Sequence, residues 1–181
     1  MNKPLIIYVS GAPGSGKTTL ARILADQLYV PSISSDTIHG GVAFLHPEHD
    51  RKQTLVNVFV PTMIGLAQNS VSFVADQVLQ KGVSEATIID RLRPYAQIIN
   101  IHTVCSDPIA RYMQRVQSSE VPSVIARREQ LLERAAYHKG NLDKTSQPLD
   151  LGVPTLVVNT DEGYTPNLSQ VLNFIKKNYP T

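Results

Sequence analysis

Apolar residues cluster in four strong runs, LIIYVS (5–10), VSFVAD (71–76), IINIHTVC (98–105) and TLVVNT (155–160), with a weaker fifth at SISS (32–35). Between them the apolar spacing changes to helical. Leu20, Ile23, Leu24 and Leu28 fall on one face, and Val171, Leu172 and Ile175 mark a C-terminal helix. Strands that alternate with helices predict βα units around a parallel sheet. Near-continuous apolar strands further suit a sheet covered on both faces. The segment QTLVNVFVPTMIGLAQ (53–68) carries Leu55, Val56, Phe59, Val60, Met63 and Ile64, most of them expected in the core, with Pro61 kinking or dividing the helix. The stretches that look least structured are 40–52, 117–123 and 138–152.

Composition narrows this picture little. A chain of 181 residues suits one domain, here 1–181, and 42% hydrophobic with 18% charged residues is ordinary for a globular protein. A formal charge of +2 is too small to argue for nucleic acid on its own. Cys105 is the single cysteine, so no disulfide framework exists, which is consistent with a reducing compartment. No run approaches the ~18 apolar residues of a membrane span, and the N-terminus lacks a signal-peptide pattern. A cytoplasmic protein is expected.

The chemistry starts at the end of the first strand. Gly11, Gly16, Lys17 and Thr18 match G-x-x-x-x-G-K-[ST], the phosphate-binding P-loop. Glycines in Gly11-Ala12-Pro13-Gly14-Ser15-Gly16 let backbone N–H groups converge on phosphate oxygens. The helix that follows from Lys17, Thr18 and Thr19 adds its N-terminal donors. Lys17 supplies a mobile positive charge near the β and γ phosphates, and the Thr18 hydroxyl can complete a Mg²⁺ shell. No D-x-x-G or N-K-x-D of a GTPase switch occurs, nor an LSGGQ-like transporter motif. Asp36 ends the predicted second strand on the same rim as the P-loop, where ligands of doubly wound sheets bind. It can orient the proton of an attacking hydroxyl or, alternatively, cap the helix beginning TIHG.

GAPGSGKTTLA, followed by SSD and then VSFVAD, resembles the small P-loop kinases. The nearest group contains chloramphenicol phosphotransferase, the zeta toxins and the 5′-hydroxyl kinase domain of polynucleotide kinases. Shikimate, gluconate and nucleoside monophosphate kinases are more distant. The resemblance implies a doubly wound five-stranded parallel sheet with helices on both faces and a helical lid. It also implies ATP and Mg²⁺, and transfer of the γ-phosphoryl to a hydroxyl. By resemblance Asp36 is the acceptor-side base and Asp76 lies near the magnesium or the acceptor. Many relatives have two adjacent acids there; Ala75-Asp76-Gln77 offers one, which a strand-end turn explains equally. The lid, 111–138, would bring an arginine over the triphosphate. Arg115 is the first choice, Arg127 and Arg128 the second, and any of them could be a solvated helix charge. Arg111 would lie beside the adenine. Asn159, Thr160 and Asp161 occupy the place where relatives hold the base, although Asp161 and Asn167 could equally cap a turn or the last helix.

His46 and His49, in HPEHD, do not have the spacing of a zinc motif. His39 could reach the substrate pocket or lie on an exposed helix. Residues 37–70 are expected to choose the acceptor. Their apolar character favours a small hydroxylated molecule over a nucleic-acid end, for which a basic channel is needed. Arg51, Lys52, Arg91 and Arg93 could contribute to such a channel, or Arg91 and Arg93 could hold an acidic substrate. Two other readings stay open: a nucleotide-binding switch that transfers nothing, and a toxin-like kinase of a nucleotide sugar with a partner antitoxin. The acceptor, the ATP or GTP preference and the oligomeric state are not legible.

Overall fold

The computed structural model describes residues 3–46, 48 and 50–179. His49, weighed above as a metal ligand, lies outside them. The described strands are β1 (Leu5–Gly11), β2 (Ser32–Ser34), β3 (Phe73–Asp76), β4 (Gln97–Val104) and β5 (Thr155–Asn159), all parallel, in the order β2-β3-β1-β4-β5. Every predicted strand is present to within two residues.

Period-2 alternation sends the strands' side chains to two separate cores. Ile6, Tyr8, Phe73, Ala75 and Ile98 face one way and meet Phe59, Val60, Met63 and Ala67 of the 51–68 helical segment, with Ile88, Ile89 and Leu92. Leu5, Ile7, Val9, Val74, Ile99, Ile101 and Val158 face the other way, onto Leu20, Ala21 and Leu24 of α1 (Lys17–Leu28) and onto Val171 and Ile175 of the C-terminal helix. Full burial of each large side chain contributes about 1.5–3 kcal/mol, so both faces are strongly specified. This is the doubly wound α/β architecture.

The segment between β2 and β3 departs from expectation. α2 (Ser35–Leu45) runs through GGVAFL, which reads as loop. After the Asp50 cap, α3 (Arg51–Thr54) passes through a π-helical turn, Leu55–Phe59, into α4 (Val60–Gln68). Pro61 therefore does not divide the helix. Val60 N–H reaches back to Leu55 O in π register; in that register Pro61 would serve Val56 O but has no N–H to donate. The Arg91 guanidinium donates to Val56 O instead, at 3.4 Å. Arg91 follows a second π turn, Glu85–Ile89, in α5 (Asp90–Leu92).

After β4 come α6 (Pro108–Ser118), α7 (Pro122–Ile125), α8 (Arg128–Gly140) and α9 (Leu142–Thr145), so the 138–152 stretch is partly helical. Asp107 caps α6 by accepting Ala110 N–H at 3.0 Å, with Pro108 at the first position. α6 and α8 share a small core of Tyr112, Val116 and Ala135, flanked by Ile109, Leu131 and Leu132. α10 (Leu168–Asn178) starts with a reciprocal Asn167–Gln170 capping box, which settles the role of Asn167. Among the described residues no helix is long and apolar enough to cross a membrane.

Candidate active site

β1 delivers the chain into the P-loop at Gly11, with φ +138°, and the loop crest at Gly14 has φ +89°. A Cβ at Gly11 would stand 2.3 Å from the Thr103 carbonyl oxygen, and one at Gly14 only 1.8 Å from that of Pro108. Glycine is required at both. Two buried threonines hold the loop from below. Thr103 Oγ1 donates to Ser10 O at 3.0 Å and accepts from Ser15 Oγ at 2.7 Å. Thr160 Oγ1 donates to Ser15 O at 3.0 Å. Behind the loop, Ser10 Oγ donates to Asn100 Oδ1 at 2.8 Å and lies 2.9 Å from His102 Nδ1, while His102 Nε2 is 3.1 Å from Ser146 O.

Lys17 opens α1, is buried, and donates from Nζ to Ala12 O at 2.9 Å. Burial lowers its pKa to about 8; Arg115 and Arg51 add to the lowering while Asp36 and Asp76 oppose it. This ammonium is costly until a phosphate meets it. Next along the helix, Thr18 Oγ1 donates to Asp76 Oδ2 at 2.8 Å, and Ser34 Oγ donates to the same oxygen at 3.3 Å. Asp76 is 2% exposed, and its Oδ1 has no hydrogen-bond partner. Burial raises its pKa against the pull of Thr18, Lys17 and Ser34. An orphaned carboxylate oxygen beside a hydroxyl, at the mouth of a phosphate loop, fits a hard cation such as Mg²⁺, which takes few protein ligands and shares phosphate oxygens. Among the described residues no group of three or more His, Cys, Asp or Glu side chains could hold a metal by itself.

Asp36 lies in the first turn of α2, but Ser34 is the N-cap residue. The Asp36 carboxylate instead accepts a short hydrogen bond from Arg51. Burial in the cleft pushes its pKa up, yet Arg51, with Lys17 and Arg115 behind it, holds it below the ordinary carboxylate range. Both side chains of the pair remain about half exposed to solvent, 58% for Asp36 and 45% for Arg51. His39, one turn on, is buried against Thr54 and is not on an exposed face.

The arginines separate into distinct environments. Arg111 Nη1 donates to Thr160 O at 3.2 Å and to Thr160 Oγ1 at 3.0 Å, so it sits at the β5 end of the loop. Arg115 is exposed, with its guanidinium 5.6 Å from the Tyr112 ring centroid, and its charge reaches both Lys17 and Asp36. Arg127 extends toward α2, where a Cβ at Gly40 would lie 3.4 Å from its Nη2. Arg128 donates to Ser119 O at 2.8 Å and holds the α6–α7 turn. Asn159 and Asp161 close a turn on each other, and Asp161 also accepts from Ser106. Arg93 is tied to Asp90 and to the Leu151 and Gly152 carbonyls, and Arg91 to Val56 O.

Sequence reasoning overlooked Arg134 and His138 and gave Arg51 too small a part. Burial first, then Arg51 and Arg134, lowers the pKa of His138 to about 4, and the same two arginines help lower that of His39. The available signal for Arg51 was the D-x-x-Q capping box, Asp50 with Gln53, which fixes it as the first residue of α3. For Arg134 it was the i,i+4 spacing to His138, whose ring packs edge-on against Tyr112 at 5.1 Å.

Comparison with known proteins bears on the fold and the family. A cytidylate kinase from Pyrobaculum neutrophilum is 59% identical over 34 residues, a stretch spanning 19% of this chain and only 18% of that enzyme. A candidate kinase from Chloroflexus aurantiacus J-10-fl superposes with a TM-score of 0.72 at 22% identity, covering 98% of this chain and 96% of its own. A sugar kinase from Janibacter sp. HTCC2649 gives a TM-score of 0.62 at 18% identity, covering 99% and 97%. These structural likenesses establish the fold. Residues 6–136 match the model of the AAA domain family AAA_33, so the chain belongs to that family and carries the small P-loop kinase fold that its glycine loop led us to expect.

Proposed function

We propose that this protein is an ATP- and Mg²⁺-dependent phosphotransferase that moves the γ-phosphoryl group to a hydroxyl of a small-molecule acceptor. The observation that carries the reading is the second carboxylate. Asp76 pairs with Thr18 where a metal fits, and Ser34 of β2 is aligned with Asp76 of β3. Asp36 follows two residues later, about one strand spacing, ~4.8 Å, farther out along the rim. Nucleotide binding alone does not need a carboxylate there; an acceptor hydroxyl does.

In this reading the P-loop amides and Lys17 hold the β and γ phosphates, and Thr18 and Asp76 hold Mg²⁺. The metal, when bound, neutralises phosphate charge. Arg115, projecting from the 111–138 lid, stabilises charge on the transferring group, while Arg111 and Thr160, with Asn159 nearby, border the base. Asp36 has a depressed pKa and is therefore a weak base. Phosphoryl transfer has a loose transition state in which the nucleophile keeps its proton until late, so orienting the hydroxyl and accepting that proton late suffices. The segment 37–70 walls the acceptor side.

The test is ADP release with Mg·ATP across sugars, sugar acids, nucleosides, antibiotics and 5′-hydroxyl oligonucleotides. Acceptor-dependent release, abolished in Lys17→Ala and reduced about 10²–10⁴-fold in Asp36→Asn, is expected. Tight ATP binding with no acceptor-dependent release from any class would replace the enzyme by a switch. Release with the oligonucleotides alone would replace the small molecule by a nucleic-acid end.

A further inference from the structure

We propose that the acceptor is itself an anion and that Arg51 is its receptor. A carboxylate or phosphate group on the acceptor takes the place of Asp36 on the Arg51 guanidinium, and this exchange frees the Asp36 carboxylate for the hydroxyl. The proposal rests on the kinase reading above and adds to it a substrate class and a second role for the Asp36–Arg51 contact.

The sheet order separates the two halves of the cleft. Thr160 and Arg111 stand at the β5 edge, the P-loop follows β1, and Asp36 follows β2 at the opposite edge. From β1 to β2 is two strand spacings, about 10 Å. The phosphate-binding groups thus lie toward the middle and one edge, while Arg51, bonded to Asp36, stands at the other. It is placed for whatever occupies the acceptor side.

Arg51 is also built for this use. The reciprocal hydrogen bonds of the Asp50–Gln53 box, 2.6 and 3.3 Å, fix its backbone at the start of α3. Its side chain borders a crevice lined by Ser35, His39, Thr54, Leu55, Phe59 and Gln77. Its guanidinium contacts the half-exposed Asp36 carboxylate, and a half-exposed ion pair contributes little to stability. An acceptor oxyanion that engages both guanidinium nitrogens replaces it at small loss.

The charge balance points the same way. Among the described residues, the charges of Arg51, Lys17 and Arg115 act on Asp36, and those of Arg51, Arg134 and Arg127 act on His39 one turn along α2. Lys17 and Arg115 belong with the triphosphate, which leaves Arg51, bonded to Asp36, on the acceptor side. Arg134 lies about two turns beyond Arg127, whose guanidinium sits against α2, so the same face of α8 looks into the acceptor side. Burial, reinforced by Arg51 and Arg134 and opposed by Asp36, holds His39 and His138 below their usual pKa.

The test begins with the protein saturated with Mg²⁺ and AMPPNP, so that the P-loop is filled, and titrates inorganic phosphate by calorimetry. Phosphate is expected to bind; Arg51→Gln is expected to weaken it about tenfold or more. Asp36→Asn, which removes the competing carboxylate, is expected to tighten it. Opposite signs are the discriminating result, because a merely structural ion pair would make both variants act alike; circular dichroism verifies that both are folded. No phosphate binding, an unchanged affinity in Arg51→Gln, or weakening in both variants overturns the proposal. ADP release is then measured with acceptors matched in size but differing in charge, such as gluconate and glucose. Turnover confined to neutral acceptors sinks the anionic acceptor and leaves the kinase. Phosphate binding with the expected signs but no turnover with any acceptor sinks the kinase and leaves the Arg51 site.

Discussion

Gly14 is the point where the phosphate loop presses on the helical hairpin that follows β4. Its φ is +89°, and an added Cβ would meet Pro108 O at 1.8 Å and Tyr112 N at 2.9 Å. Both obstacles are backbone atoms of α6, so Gly14→Ala cannot be relieved by rotating a side chain. The loop or the helix must retreat by roughly an ångström. A left-handed conformation costs a non-glycine residue about 1–2 kcal/mol, and overpacking of this kind about 1–3 kcal/mol. The expected loss is therefore about 2–5 kcal/mol, or about 4–20 °C in Tm at 2–4 °C per kcal/mol for a chain of this size. Gly82→Ala is the control. Its φ is +76°, but nothing lies within 4 Å of its added Cβ, so only the backbone penalty applies. Thermal melts of the two variants isolate the overlap, and calorimetric titration with Mg·ATP asks whether the loop still closes on phosphate. A displacement of this size is expected to weaken nucleotide binding in Gly14→Ala and leave it unchanged in Gly82→Ala. Equal melting temperatures, or unchanged Mg·ATP affinity in Gly14→Ala, would refute the claimed contact between loop and hairpin.

Three further outcomes follow from the ionisable groups. Because free Lys17 has a pKa of about 8, bound phosphates restore its proton. ATP binding near pH 9 should take up close to one proton, measured by calorimetry in buffers of different ionisation heat, and Lys17→Met should abolish the uptake. His39, His102 and His138 are lowered chiefly by burial, His138 to about 4. The unfolded chain binds more protons once the pH falls below ~6.5, so stability should drop from there toward pH 4; denaturant titrations of His138→Phe should show a shallower drop. Asp76 is raised by burial and has an unpartnered oxygen, so Asp76→Asn should melt higher than the native protein yet bind Mg·ATP about 10–100-fold more weakly. A lower Tm, or intact Mg²⁺ dependence of ATP binding, would contradict the placement of the metal.

The strands were legible because burial on both faces writes them as apolar runs, as at LIIYVS and IINIHTVC. α2 was not, because Gly40 and Gly41 lower intrinsic helix propensity by about 1 kcal/mol each. Packing of Ile38 on the core and of Arg127 against Gly40 holds that helix regardless. The π turn was equally hidden. Pro61 announces a disturbance, but the partner of the carbonyl it leaves behind, Arg91, is 35 residues from Val56.

The same asymmetry divides the site. The P-loop acts through consecutive backbone amides, so its core lies within Gly11–Thr18 and can be read as a string. In the proposed reading acceptor recognition falls to side chains that the fold collects from separate elements: Asp36 from α2, Arg51 from α3, Arg127 and Arg134 from the hairpin. None of these has a motif, and each alone looks like a solvated charge. Only the Asp36–Arg51 contact, which spans the 37–50 stretch, shows that two of them belong to one place. A P-loop sequence therefore identifies the donor by inspection and leaves the acceptor to tertiary structure. For this protein that structure places arginine beside the candidate base and sends most of the apolar side chains of residues 55–64 into the core, as expected.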